Sequence, residues 1–254
     1  MSVNFSAFPY DVWYGRVLRW PLKLIPATAV APILQGPLKG KKWIVGSSVH
    51  GCWLGSYEIA KARLMKQRIR TGSVVFDIGA QAGYHTLLAS ECVGPSGRVY
   101  AFEPLLRNLE YLHALVELHQ LKNVVIVDAA VSDFRGSASF DSGTSPVAGR
   151  LSTRGSIRVR CIQLDEEVQA GRLPPPDFLK IDVEGAEMKL LAGARNMLKQ
   201  HKPEIVLDTH TFLGGEFEPL HRECSEFLQD LGYQLQPIGT DAADSREIHA
   251  IATH

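Results

Sequence analysis

The run Val74-Val75-Phe76-Asp77-Ile78-Gly79-Ala80-Gln81-Ala82-Gly83-Tyr84-His85-Thr86 constrains this chain more than any other stretch. Three β-prone apolar residues lead into an acid. Two glycines follow in a D-x-G-x-x-x-G pattern, and Leu87, Leu88 and Ala89 then open a helical pattern. The stretch reads as a buried strand, a tight turn and a helix start. Glycine lets the backbone turn sharply and lets a ligand approach it closely. The first turn of a helix offers unpaired N–H groups to an anionic group. A chain built on such a unit holds a nucleotide-type ligand at the end of a strand.

The identity of that ligand follows from two positions. A dinucleotide fingerprint needs a second glycine where this chain has Gln81, so a pyrophosphate loses its close backbone approach. A second acid, Glu103, ends the apolar run Val99-Tyr100-Ala101-Phe102, 24 residues after Gly79. A carboxylate there can accept both hydroxyls of a ribose. A glycine loop with a ribose acid and no pyrophosphate glycine favours S-adenosylmethionine over NAD.

From residue 74 onward, strands and helices alternate. Strands are expected at 74–78, 98–102, 123–127, 178–182 and 204–208. Helices are expected at 84–92, 105–119, 164–171, 184–199 and about 217–231. The segments 232–235 and 248–251 read as a final antiparallel pair at the sheet edge. This alternation predicts an α/β fold with a doubly wound, mostly parallel, Rossmann-like sheet. Two further strands, 137–140 and 156–162, flank a Gly- and Ser-rich stretch at 141–150. That stretch is expected to be either a lid over an acceptor or a plain hairpin tip.

Residues 1–56 are expected to form an N-terminal cap segment, and residues 57–254 the main domain. The cap is rich in proline and aromatic residues, and residues 42–46 and 49–54 read as a β-hairpin across Ser47-Ser48. Residues 57–70 read as a basic amphipathic helix with Ile59, Ala62, Leu64 and Ile69 inward. The formal charge is zero, but residues 1–70 hold eleven Lys and Arg against Asp11 and Glu58, a balance of +9, which leaves −9 for the remainder. The basic part is either a solvated helix face from Lys61 to Arg70 or a surface for an anionic neighbour, including a peripheral membrane contact. With no net positive charge, no nucleic-acid partner is expected. Cys52, Cys92, Cys161 and Cys224 form no C-x-x-C pair, so neither a zinc site nor a disulfide framework is expected, and a cytoplasmic location is. The apolar stretch at 22–34 is broken by Lys23, Pro26 and Pro32, too short to span a bilayer.

In an open α/β sheet, ligands bind beyond the carboxyl ends of the strands. Five expected strands end in acids there: Asp77, Glu103, Asp128, Asp182 (with Glu184) and Asp208 (with His210). The plainer alternative for each is a cap on the helix that follows. Taken together with Phe102-Glu103-Pro104, Ala129-Ala130-Val131-Ser132-Asp133 and Lys180-Ile181-Asp182-Val183-Glu184-Gly185-Ala186-Glu187, the opening run resembles the FkbM family of S-adenosylmethionine-dependent methyltransferases. The likeness extends over about residues 55–215, with Gly55-Ser56-Tyr57-Glu58 similar to the family's lead-in motif. The commonest family form has Asn where this chain has Gln81.

The resemblance implies that Gly79, Ala80 and Gly83 shape a loop around the methionine portion. Asp77 orders that loop or meets the cofactor's amino group through water, and Tyr84 and Thr86 stand at the helix start. It also implies that Glu103, followed by Pro104, takes the ribose hydroxyls, that Asp128 and Ala129 touch adenine, and that Tyr57 and Glu58 close over the cofactor. Asp182 then lies nearest the methyl group.

Methyl transfer needs chiefly an acceptor oxygen held in line with the sulfonium, and a hydroxyl acceptor must also lose its proton. His210 is the expected base, because histidine titrates near neutral pH, with Asp182 and Glu184 beside it. His85 is expected to be structural. Asp182 and Asp208 with His210 or Glu184 also raise the possibility of a divalent metal such as Mg²⁺, although His is an unusual Mg²⁺ ligand. The expected function is O-methylation of a hydroxyl on a small molecule, sugar or glycolipid. The alternatives are a non-catalytic S-adenosylmethionine-binding protein and a methyltransferase for a macromolecular acceptor.

Overall fold

Val74–Ile78, Phe178–Ile181 and Glu204–Asp208 are almost continuously apolar, the pattern of strands buried on both faces. In the computed structural model they lie side by side as β3, β10 and β11 of one seven-stranded sheet. The model describes residues 22, 24–141, 150–151, 157–210, 217–239 and 247–253. The other sheet members are β4 (Arg98–Phe102), β5 (Val124–Val127), β12 (Tyr233–Pro237) and β13 (Glu247–Ala252). The order is β12-β13-β11-β10-β3-β4-β5. All pairs from β11 to β5 are parallel, whereas β13 runs antiparallel to both β11 and β12. The chain moves outward from β3 to β5 and then returns to place β10 on the other side of β3. The crevice beyond the β3 and β10 ends is therefore the switch point where ligands bind.

Side chains alternate between the two faces of each strand. Phe76 and Ile78, Leu179 and Ile181, and Ile205 and Leu207 pack on one face. They meet α6 (Glu187–Gly193), α7 (Arg195–His201) and α8 (Phe217–Asp230) through Leu190, Leu191, Leu198 and Leu228. Val75, Phe178 and Val206 face the other way, against α2 (Ile59–Arg68), α3 (Tyr84–Val93) and the N-terminal residues Trp43, Val45 and Trp53. Asp77, Lys180 and Asp208 share that second face by the same alternation. A smaller sheet, in the order β6-β9-β7-β8, joins Ala130–Val131, Ile157–Ile162, Gly136–Asp141 and Arg150–Leu151.

Three local expectations change. The N-terminal hairpin pairs β1 (Val30–Pro32) with β2 (Lys42–Ile44), not residues 42–46 with 49–54. Gly51–Leu54 is instead a helical turn, α1, in which Cys52, Trp53 and Leu54 are all buried and Gly55 ends the turn at φ +76°. The long helix expected at 184–199 is two helices. Glu184 and Gly185 have φ of +52° and +92°, which bars a helix start there, and the chain breaks again at Gly193 and Ala194. A Cβ on Gly193 would lie 2.1 Å from the Ser132 carbonyl oxygen, so only glycine allows this approach. Finally, Lys61 is not on a solvated face but fully buried, and Met65 joins Ala62 and Ile69 inward, while Ile59 and Leu64 are only half-buried. The remaining helices, α4 (Leu106–His119) and α5 (Leu164–Gln169), lie within the expected ranges. Residues 142–149, the expected lid or hairpin tip, lie outside the described residues. No described helix is long and apolar enough to cross a membrane.

Candidate active site

The glycine loop leaves β3 against the end of β10. Gly79 has φ +77°, and a Cβ there would stand 1.8 Å from the Asp182 carbonyl oxygen. Gln81 also takes a left-handed φ, and its N–H donates to Glu103 Oε2 at 2.9 Å. Glu103 Oε1 accepts from the Leu105 N–H and the Asn108 amide at 2.9 and 3.2 Å. Burial pushes the Glu103 carboxyl up, against these hydrogen bonds, which hold it in its charged form. Asp77 faces inward. Its Oδ2 accepts from the Thr86 hydroxyl at 2.5 Å, tying the strand end to the first turn of α3.

Two cavities meet over this loop. The larger, about 550 Å³, is lined by Gln81, Phe102, Glu103, Pro104, Ala129, Val183 and Glu184, among others. The smaller, about 270 Å³, is lined by Trp43, Tyr57, Ala80, Tyr84, His85 and Lys180, among others. Gly79, Gln81 and Asp182 line both. Asp128 lines neither. It is exposed at the end of β5, the edge strand, where only its carbonyl is engaged, by Arg160 at 3.0 Å.

Buried lysines bind the acidic strand ends together. Lys180 Nζ donates to the Gly79 carbonyl at 2.8 Å and lies 3.3 Å from Asp77 Oδ1 and 3.6 Å from Asp182 Oδ2. Lys61 Nζ lies 2.7, 3.0 and 3.1 Å from Glu58, Asp208 and Glu247. Burial alone would strip these ammonium groups of their protons, but the surrounding carboxylates hold both well charged. Asp182, despite its burial, is correspondingly held well below the usual carboxylate range by Lys180, Lys61 and His210. His85 lies 3.5 Å from Glu58, and burial lowers it to about 4, so it is neutral.

His210 sits at the open side of this cluster. Its Nδ1 lies 3.7 Å from Asp182 and 3.6 Å from Glu187, and its Nε2 lies 3.7 Å from Asp208. Burial opposes its charge, but Glu187, Asp182, Asp208 and Glu184 prevail and raise it to about 9. Glu187 is wholly buried, and its Oε1 also accepts from the Gly185 N–H at 3.0 Å. Sequence reasoning missed Lys61, Lys180, Glu187, Glu247, Asn108 and Trp43. The available signal was a charge inside an apolar strand run for Lys180 and an i, i+3 carboxylate for Lys61.

Two groups of acids are close enough to share a cation: Asp182, Glu184 and His210, and Glu58, Asp208 and Glu247. The second group already surrounds the Lys61 ammonium. The first offers one imidazole and two carboxylates, one of them 3.6 Å from Lys180. Mg²⁺ demands an octahedron of oxygens, so this donor set does not fit it.

A parallel sheet with a glycine loop at its switch point, a carboxylate at the second strand end and a paired cavity is the architecture of a class I S-adenosylmethionine-dependent methyltransferase. Residues 77–235 match the model of the methyltransferase FkbM domain, and the chain belongs to that family. It is 32% identical over 154 residues to the hexuronic acid methyltransferase AglP of Haloferax volcanii, an alignment covering 58% of this chain and 60% of that relative. Among solved structures, an FkbM methyltransferase from Methylobacillus flagellatus superposes with a TM-score of 0.51 at 18% identity, over 70% of this chain and 43% of that one. Aeropyrum pernix fibrillarin with bound S-adenosyl-L-methionine gives 0.50 at 16% identity, over 76% of this chain and 73% of that one. Both structures are similar in fold.

Proposed function

We propose that this protein transfers the methyl group of S-adenosylmethionine to an oxygen of a sugar, with a hexuronic acid or its glycoconjugate as the leading acceptor class. The similarity to a hexuronic acid methyltransferase supports the acceptor class. The observation that carries the chemistry is the position of Asp182, which lines both cavities and has His210 3.7 Å away on the open side. A donor with its adenosine in the larger cavity, ribose on Glu103, and its amino-acid end in the smaller one brings its sulfonium to Asp182. The carboxylates gathered there favour a positive centre.

The chain's residues then have distinct tasks. Gly79, Ala80 and Gly83 give the donor its close approach to the backbone. Asp77 and Thr86 fix the loop, and Asp182 faces the sulfonium. His210 takes the proton of a hydroxyl acceptor at Nδ1 or Nε2 as the acceptor oxygen bonds to the methyl carbon and the carbon–sulfur bond breaks. Holding the acceptor in line supplies much of the rate. A panel of hexuronic acids, neutral sugars and their glycolipids, incubated with methyl-labelled S-adenosylmethionine, tests this reading. Label in a uronic acid or its conjugate is expected. Label only in protein or nucleic acid would overturn it.

A further inference from the structure

The smaller cavity holds polar atoms that the fold leaves without partners. Trp43 is fully buried, and its indole Nε1 has no hydrogen-bond partner; the hydroxyl of Tyr84, a residue only 4% exposed, has none either. Their rings meet edge to face at 5.8 Å, and both residues line the cavity with Gly79, Ala80 and Lys180. A buried donor with no acceptor is costly and calls for an explanation such as a ligand. An indole N–H can only donate, so what is missing is an acceptor. The same cavity abuts the start of α3, a ten-residue helix whose first N–H groups, on Tyr84, His85 and Thr86, favour negative charge. Lys180 adds a buried positive charge. Asp182, on the same cavity, supplies the opposite sign.

Such a lining suits a zwitterion, with an anionic end toward Trp43 and Tyr84 and a cationic end toward Asp182. We infer that Trp43, together with the Tyr84 hydroxyl, donates hydrogen bonds to the α-carboxylate of S-adenosylmethionine and makes the site selective for donors that carry it. The inference rests on reading the paired cavity as the S-adenosylmethionine site. It assigns a binding role to β2, which lies outside residues 77–235, the part that matches the family. The N-terminal strand pair is then a working wall of the donor pocket. Phenylalanine at 43 keeps an aromatic ring there but removes the only donor.

The test compares binding of S-adenosylmethionine and decarboxylated S-adenosylmethionine by calorimetry, in the wild type and in Trp43→Phe and Tyr84→Phe. Loss of a hydrogen bond to a charged group corresponds to about tenfold or more in Kd. The wild type is expected to bind the decarboxylated analogue at least about tenfold more weakly, and that ratio should shrink toward one in Trp43→Phe. Because the readout is a ratio within one protein, a general loss of stability does not imitate it. Tyr84→Phe carries the same expectation if Trp43→Phe does not fold. An unchanged ratio in the variants, with tight wild-type binding of S-adenosylmethionine, overturns the carboxylate assignment alone. A wild type that binds neither molecule overturns it together with the donor site itself.

Discussion

Lys61 places its ammonium 3.0 Å from the Asp208 carboxylate, across 147 residues of chain, with no exposure to solvent. The same ammonium meets Glu58 and Glu247, so one side chain of α2 balances acids from its own helix entry, from β11 and from β13. Removing one partner of a buried ion pair leaves the other charge uncompensated, at a cost of ~3–5 kcal/mol. Lys61→Met is therefore expected to lower unfolding stability by about that amount in urea denaturation. A loss under ~1 kcal/mol would show that the three carboxylates find their balance elsewhere.

Glu103 has a different task, since its hydrogen bonds fix the glycine loop as well as face the ribose. Glu103→Ala should weaken S-adenosylmethionine and 5′-methylthioadenosine together, by about tenfold or more, because both carry the ribose. Trp43→Phe should spare 5′-methylthioadenosine, which lacks the amino-acid end. Calorimetry with both ligands separates the two ends of the pocket. Unchanged affinity in Glu103→Ala removes the ribose assignment.

Gly79 and the strand-end acids are legible in the sequence because each depends on local pattern: an apolar run, then an acid, then a turn. That logic reaches Asp77, Glu103, Asp182 and Asp208, and it fails at Asp128 for a tertiary reason. β5 is the sheet edge, so its end lies in solvent instead of over the crevice. Lys61 and Lys180 are illegible because their burial is permitted only by carboxylates distant in sequence, and composition alone places lysines on the surface. The strand pair of Val30–Pro32 with Lys42–Ile44 is missed because the short apolar run at 51–54 fits a strand or a helical turn equally well. Glu187 lies within the run that carries the family resemblance, yet only the fold shows it beside His210.

The donor set at Asp182, Glu184 and His210 argues against Mg²⁺, and that has a direct consequence. Titration of Mg²⁺ into the protein should give no binding heat at millimolar concentration, and turnover should survive EDTA unchanged. A chelator-sensitive rate restored by Mg²⁺ would show that these carboxylates release their lysines to hold the ion, and would replace His210 as the means of activating the acceptor.

His210 links activity and stability with opposite signs. Its folded pKa of about 9 stands above its ordinary 6.5, so its protonation stabilises the fold. That contribution is complete below about pH 6.5 and is lost as pH rises toward 9. A base must be unprotonated, so kcat/KM with a hydroxyl acceptor should climb over the same window and level off near pH 9, since kcat/KM reports the free enzyme. The bound sulfonium adds positive charge beside the imidazole, so the profile of kcat should turn at a lower pH than that of kcat/KM. His210→Gln should keep S-adenosylmethionine affinity, slow turnover at least about tenfold and flatten both slopes. A variant that loses the stability slope but keeps the wild-type rate profile would leave His210 a structural cation and move the base elsewhere.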